Sequence, residues 1–195
     1  MDELMLRRAK KGDADAFEQL LTPLEQMVWR VCWHYTNHTE DARDCAQEAM
    51  LKAWRVIGQY RGDCSLESWM YRICQSVCMD FLRGKKRHAA ESADALEEEG
   101  FEPASCEETP EEAAVSRDRR RALRRAIAQL PEEWRTVLIL YAMEKKKYEE
   151  IAQITGAHVG TVKSRLNRAR QKLAQLMAEG EQTSGAKDGK GGRAS

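Results

Sequence analysis

Apolar residues recur every three or four positions along most of this chain, the spacing of amphipathic helices rather than of strands. In TPLEQMVWRVCWHY the stripe is Leu24, Met27, Val28, Val31 and Tyr35, and Thr22-Pro23 sets a capping residue before a first-turn proline. In EDARDCAQEAMLKAWRVI it is Ala42, Cys45, Ala46, Ala49, Met50, Ala53, Trp54 and Ile57. Thr39 is the expected cap there, with Glu40 and Asp41 in the first turn, where the helix dipole favours acids. Asp13 is placed to cap an earlier helix carrying Phe17, Leu20 and Leu21. Gly58 to Asp63 interrupts the pattern, and Ser65 caps a long helix reaching about Arg87. Thr109-Pro110 and Pro131 mark later starts, with helices predicted at about 132–143, 147–155 and 159–178. No stretch alternates like a strand for long enough to compete. The expected fold is all-α.

Two segments lack this pattern. Residues 88–109, HAAESADALEEEGFEPASCEET, are acidic and small, with too little apolar surface to offset ordering entropy, and read as a flexible linker. Residues 179–195 are rich in Gly, Ser and Lys and read as a disordered tail. Two small helical domains remain, at 1–87 and 110–178.

Charge sharpens that division. The 195 residues carry 32 basic and 32 acidic side chains, an overall balance that seems to disfavour a nucleic-acid partner. Residues 1–88 are nearly neutral, with 14 basic against 13 acidic, but 89–116 hold 10 acidic and none basic. Residues 117–178 hold 15 basic against 6 acidic, a footprint for phosphate on one small unit. The longest uncharged apolar run, Val137–Met143, is far too short to span a membrane, so no membrane insertion is expected. The opening MDELMLRRAKKGD has no apolar stretch of the signal-peptide kind, and the six cysteines show no framework spacing. Both point to a cytoplasmic protein with reduced thiols.

The most informative stretch is YEEIAQITGAHVGTVKSRLNRAR, Tyr148 to Arg170. A short helix ends at Gly156, which supplies a left-handed turn residue, and a second helix follows within three residues. Ile151, Ala152, Val162 and Leu166 are the positions where the two would pack as a helix-turn-helix. The second helix would then present Thr161, Lys163, Ser164, Arg165, Asn167 and Arg168, residue types that reach base edges and phosphates in a major groove. VGTVKSRLNRARQKL and the preceding LPEEWRTVLILYAMEKKKYEEIA resemble region 4 of bacterial RNA polymerase sigma factors, most closely the extracytoplasmic-function (ECF) group. The resemblance implies −35 promoter reading by these six residues, with Thr161 on a phosphate.

The first domain is informative in a different way. Capturing a base that has left the stack takes a pocket, aromatic faces and nearby positive charge. Tyr60, Arg61, Asp63 and Ser65 form a polar loop suited to hydrogen-bonding such a base. Trp69, Tyr71 and Arg72 follow on the next helix, then Ser76 and Asp80 at helical spacing, and Arg83, Lys85, Lys86 and Arg87 close it as a phosphate-binding cluster. GQYRGDCSLESWMYRICQSVCMDFLRGKKR is similar to ECF region 2, and DARDCAQEAMLKAWR resembles that region's polymerase-binding signature. By resemblance, Asp44, Gln47, Glu48 and Arg55 belong to the surface that binds the polymerase clamp helices. Tyr60, Arg61, Asp63, Ser65, Trp69, Arg72, Ser76, Asp80, Arg83, Lys85 and Lys86 belong to −10 recognition and melting. The resemblance covers about 150 of the 195 residues. It implies three partners, namely core RNA polymerase, promoter DNA (duplex at −35, melted at −10) and an anti-sigma factor. It also implies that the acidic linker runs near the RNA exit path.

No catalytic site, cofactor or metal is expected. The chain has no phosphate-cradling glycine loop, no HExxH and no Ser/His/Asp pattern in a supporting context. His34/His38 and Cys74/Cys78 are four apart on helices, but each pair lacks a second half and reads as core or half-buried side chains. The competing class is a stand-alone helix-turn-helix regulator that binds duplex DNA without polymerase, usually as a dimer. A redox or metal sensor built on Cys74/Cys78 is a third.

Overall fold

The computed structural model describes the backbone of residues 3–91 and 110–188, with side chains described for 3–87 and 117–180. Every regular element among them is helical. In chain order these are α1 (Glu3–Lys10), α2 (Ala14–Leu21), α3 (Glu25–Thr36), α4 (Thr39–Val56), α5 (Leu66–Glu91), α6 (Pro110–Gln129), α7 (Glu132–Leu138), α8 (Tyr148–Thr155) and α9 (Val159–Asp188). Two compact units result, one built on α1–α5 with residues 149–157, the other on α6, α7 and α9.

In the first unit α3, α4 and α5 pack pairwise. Their apolar stripes meet in a core containing Val28, Val31, Cys32, Ala42, Cys45, Ala49, Ala53, Met70, Tyr71, Cys74 and Cys78, all buried. The small residues of α4 let it approach both neighbours closely, as close packing requires. Asp13 caps α2 as expected, its carboxylate accepting the Ala16 N–H at 3.1 Å. Two other caps differ from expectation. Thr22 does not cap α3. Its hydroxyl donates back to the Glu18 carbonyl at 2.8 Å, closing α2, and Pro23 starts a 3-10 turn at Thr22–Leu24. Thr39 is already helical, and the cap before it is His38, extended in backbone, whose Nδ1 accepts the Asp41 N–H at 3.3 Å. A backbone already folded back at Asn37, in the left-handed region, puts His38 at the boundary one residue before the expected one.

In the second unit Ala126, Ile127 and Leu130 of the α6 end join Val137–Leu140, Val162, Leu166 and Ala169 in the core. Arg135 is buried there, its guanidinium donating to the carbonyls of Ala128 and of Leu130 (3.1 Å), so it ties α7 to the end of α6. The helix predicted at 132–143 changes character after Leu138. Ile139–Met143 is a π turn, with the Glu144 N–H donating to the Ile139 carbonyl at 3.1 Å. Lys145 then adopts φ 56°, a left-handed conformation that turns the chain into α8. α9 continues to Asp188, past residue 179 where a tail was expected, because residues 171–188 contain no proline to stop it. Likewise α5 continues to Glu91. The rest of the expected linker, 92–109, and the end of the tail, 189–195, lie outside the described residues.

Candidate functional site

α4 presents different chemistry on its two flanks. Toward α3, Arg43, Ala46, Gln47, Met50 and Leu51 line an open groove of about 460 Å³ with Glu25, Val28 and Trp29. Trp29 and Leu51 remain 45% and 50% exposed, unusual for large apolar side chains and a mark of a contact surface. Of the groove residues, the motif resemblance marks Gln47 as a site residue and leaves out Trp29, Met50 and Leu51. An exposed Trp on the solvent side of an amphipathic helix was the available signal.

Toward α5 the same helix is polar. Asp44, Glu48 and Lys52 share a cleft with Val77, Asp80 and Phe81. Lys52 donates to the Ser76 hydroxyl at 2.9 Å, and Lys85 reaches the Asp41 carboxylate at 2.7 Å, so two cross-helix bonds join these flanks. Glu48 pairs with Arg55 at 3.3 Å and Asp80 with Arg83 at 3.0 Å, both pairs well exposed. Pairs of this kind contribute little stability and break readily for another partner. Arg72, Ser76, Asp80 and Arg83 are all exposed and, at spacings of four, four and three, follow one stripe along α5. Lys85 and Lys86 are exposed near its end. Arg72 also donates to the carbonyls of Ile154 (2.9 Å) and Gln153.

The loop ahead of α5 divides in two. Arg61 and Asp63 are exposed, and Gly62 between them holds φ 83°, a conformation costly for other residues. Tyr60 is only 3% exposed. Its hydroxyl donates to the Cys64 carbonyl at 2.6 Å, and its ring lies 5.3 Å from that of half-buried Trp69. Burial, first of all, pushes the Tyr60 phenol above its ordinary value. Ser65 caps α5, its Oγ accepting the Ser68 N–H at 3.1 Å. Tyr60, Ser65 and Trp69 therefore hold the loop, while Arg61 and Asp63 stand out from it.

On α9, Val162, Leu166 and Ala169 define the buried line. Lys163, Ser164, Asn167 and Arg168 are exposed, whereas Thr161 and Arg165 are intermediate. Ser164 donates to the Thr161 carbonyl at 3.0 Å. Arg165, on one flank, is held by Glu133 of α7 at 2.6 Å. On the other flank Lys163 sits 5.6 Å from the Tyr148 ring centre and Arg170 5.0 Å from that of Tyr141, and the two tyrosines stack on each other. Gly156, before α9, has φ 68°, the left-handed turn residue that the sequence called for. Ile151 and Ile154 of α8 are buried, and Ala152 is half-buried. Among the described residues no helix is long and apolar enough to cross a membrane, and no group of three or more His, Cys, Asp or Glu is arranged to hold a metal ion.

These two surfaces coincide with known protein families. Residues 20–88 match the model of Sigma-70 region 2, and residues 120–173 match that of Sigma-70, region 4. The chain belongs to the sigma-70 family of RNA polymerase sigma factors, in its ECF group. It is 34% identical over 176 residues to the ECF RNA polymerase sigma-E factor of Escherichia coli strain K12, covering 88% of this chain and 92% of that one. It is also 32% identical over 180 residues to the RNA polymerase sigma-H factor of Pseudomonas aeruginosa, covering 90% and 93%. Two solved structures share the fold. One is the sigma factor RpoE in complex with the anti-sigma factor NepR from Bartonella quintana, with TM-score 0.62, 23% identity and coverage of 83% and 96%. The other is CnrH in complex with the cytosolic domain of CnrY, with TM-score 0.60, 21% identity and coverage of 91% and 97%. The chain thus binds core RNA polymerase and promoter DNA and directs transcription initiation through −10 and −35 elements; the stand-alone regulator is not favoured.

Proposed function

We propose that the two flanks of α4 and the outward stripes of α5 and α9 divide the initiation task as follows. Asp44, Gln47, Glu48 and Arg55 bind core polymerase, with Trp29, Met50 and Leu51 as the apolar part of the same surface. Arg61 and Asp63 address the extruded −10 base, while Tyr60, Ser65 and Trp69 keep the loop in shape. Arg72, Ser76, Asp80, Arg83, Lys85 and Lys86 follow the −10 strand. Ser164, Asn167 and Arg168 read the −35 groove, with Thr161, Lys163 and Arg165 on its phosphates. The observation that carries this reading is the pair of bonds Lys52–Ser76 and Asp41–Lys85. They hold α4 against α5, where Asp44 and Glu48 share a cleft with Asp80, and this supports docking on polymerase as the step that brings DNA to α5.

In this reading residues 1–87 are the polymerase and −10 domain, 110–178 the −35 domain and 88–109 the linker. The protein works in the cytoplasm and has no catalysis of its own. Both fold neighbours are in complex with another protein, and for the one from Bartonella quintana that protein is an anti-sigma factor, which supports an anti-sigma partner for this chain as well. In vitro transcription with core polymerase and start-site mapping tests the assignment. Asp44→Ala is expected to lose core binding while Arg168→Ala keeps it and loses −35 dependence. If the two defects were exchanged, the residue roles would be wrong.

A further inference from the structure

Four thiols occupy one place in the core of the first unit. Cys32 comes from α3, Cys45 from α4, and Cys74 and Cys78 from successive turns of α5; all four are free and buried. The Cys32 sulfur is within hydrogen-bonding reach of the Cys74 and Cys78 thiols, and Cys78 also reaches Cys45. No promoter or polymerase role uses them. Three helices therefore each contribute sulfur to one cluster, although methyl-bearing residues would fill the same space.

The contacts decide how these sulfurs can pair. Cys74 and Cys78 face the same way one helical turn apart, about 5–6 Å between Cβ atoms, too far for a disulfide. Cys74 has its thiol contact with Cys32, whereas Cys78 touches both Cys32 and Cys45. Only one arrangement along these contacts leaves no thiol over: Cys32 with Cys74 and Cys45 with Cys78. We propose that this cluster is an oxidation site at which hydroperoxides close two cross-helix disulfides, Cys32–Cys74 and Cys45–Cys78, tying α5 to α3 and to α4.

The chemistry is two-electron at each pair. One thiolate attacks the peroxide O–O bond, giving a sulfenic acid and releasing water or an alcohol. The partner thiol then displaces the hydroxyl as water and forms the S–S bond. The first ionisation falls on Cys32. Its thiolate accepts hydrogen bonds from Cys74 and then Cys78, which hold its pKa below the ordinary thiol range against the opposing effect of burial. The same contact with Cys32, with burial, pushes Cys74 and Cys78 above that range, so they remain protonated donors. Because the sulfurs are buried, oxidation waits on local opening of the helix seam. The half-buried Cys64 reacts sooner but stands outside the cluster.

The full-length reduced protein, treated with hydrogen peroxide and then unfolded and alkylated, tests this. Four of the six thiols are expected to escape alkylation, the intact mass to fall by four hydrogens apart from oxygen added at other sites, and peptide mapping to find 32–74 and 45–78. The Tm should rise by roughly 5 °C or more, because each bond closes a loop of tens of residues. Cys74→Ala should leave 45–78 intact, and Cys45→Ala should leave Cys32 bridged to α5. If Cys74→Ala proves unstable, Cys32→Val removes the same bridge without changing α5. Oxidation confined to Cys64 and Cys106, over-oxidation of the four without bridges, or a dominant 32–78 bond would each overturn the proposal.

Discussion

Tyr141 of the π turn and Tyr148 at the start of α8 stack nearly parallel, with ring centres 5.3 Å apart and planes 11° from parallel. Lys163 and Arg170, seven residues apart on one side of α9, lie over the two rings. A hydrogen bond from Tyr148 draws the Tyr141 phenol below its ordinary value, helped by Arg170, while the same bond raises Tyr148. The stack holds two flexible cations in place beside the stripe proposed to read DNA, so less side-chain freedom is lost when DNA binds.

Tyr148→Ala should therefore weaken −35 duplex binding about three- to tenfold with little loss of folding, as expected for an exposed cation–π contact. Tyr148→Phe keeps the ring and should stay near wild type. Fluorescence anisotropy with a −35 duplex separates the two. Equal loss in both variants would mean the hydroxyl, not the stack, is what matters.

Glu133 already holds the Arg165 guanidinium that is proposed to contact DNA phosphate, so the carboxylate and the DNA would compete for it. The ion pair with Glu133 leaves Arg165 only 23% exposed. An ion pair on the surface contributes little to folding. Glu133→Ala should consequently raise affinity for the −35 duplex by a few-fold and steepen its salt dependence by roughly one phosphate contact. Titration across salt concentrations checks both. An unchanged slope would remove Arg165 from the phosphate-binding set.

The groove between α3 and α4 predicts an unequal effect on stability and on assembly. Trp29 is nearly half exposed, so Trp29→Ala should shift the melting temperature only slightly. A Trp at a contact surface often dominates binding, and core-polymerase affinity should fall tenfold or more. Competition against wild type for core enzyme measures it. A matched loss of stability would instead make Trp29 a packing residue.

Asp13 supplies a pH test. Its carboxylate is stabilised first by the Ala16 N–H and then by Arg8, 2.7 Å away, which lower its pKa below the unfolded value. The contribution is present above the unfolded carboxylate range and lost as pH falls through the lower folded value. The gap in Tm between wild type and Asp13→Ala should be largest near neutrality and close as acid protonates the cap. A gap constant down to pH 2 would contradict this role.

Much of this molecule could be read from one dimension. The stripes of α3 and α4 and the caps at Asp13 and Ser65 follow from local rules that each residue obeys with its near neighbours, as does the turn glycine before α9. The resemblance carried the rest of the family assignment through motifs that are themselves local. Tyr60 shows the limit: as a polar aromatic in a polar loop it reads as base-binding, yet its ring is buried against Trp69 and its hydroxyl serves the Cys64 carbonyl. Trp29 shows the converse: it lies outside the apolar stripe of its helix, and only the packing of α3 on α4 makes it part of a groove.

The sequence by itself determined that this chain is helical, that its charge separates into an acidic segment and a basic second unit, and that it carries the motifs of a promoter-directing factor. Helical period, capping and local charge act over a few residues and need no partner at a distance. Only the tertiary structure decided which polar side chains hold the protein together and which face outward. The π turn that brings Tyr141 onto Tyr148 left no trace in the residue pattern. Nor did the meeting of Cys32, Cys45, Cys74 and Cys78, because whether two side chains touch across helices depends on how those helices pack.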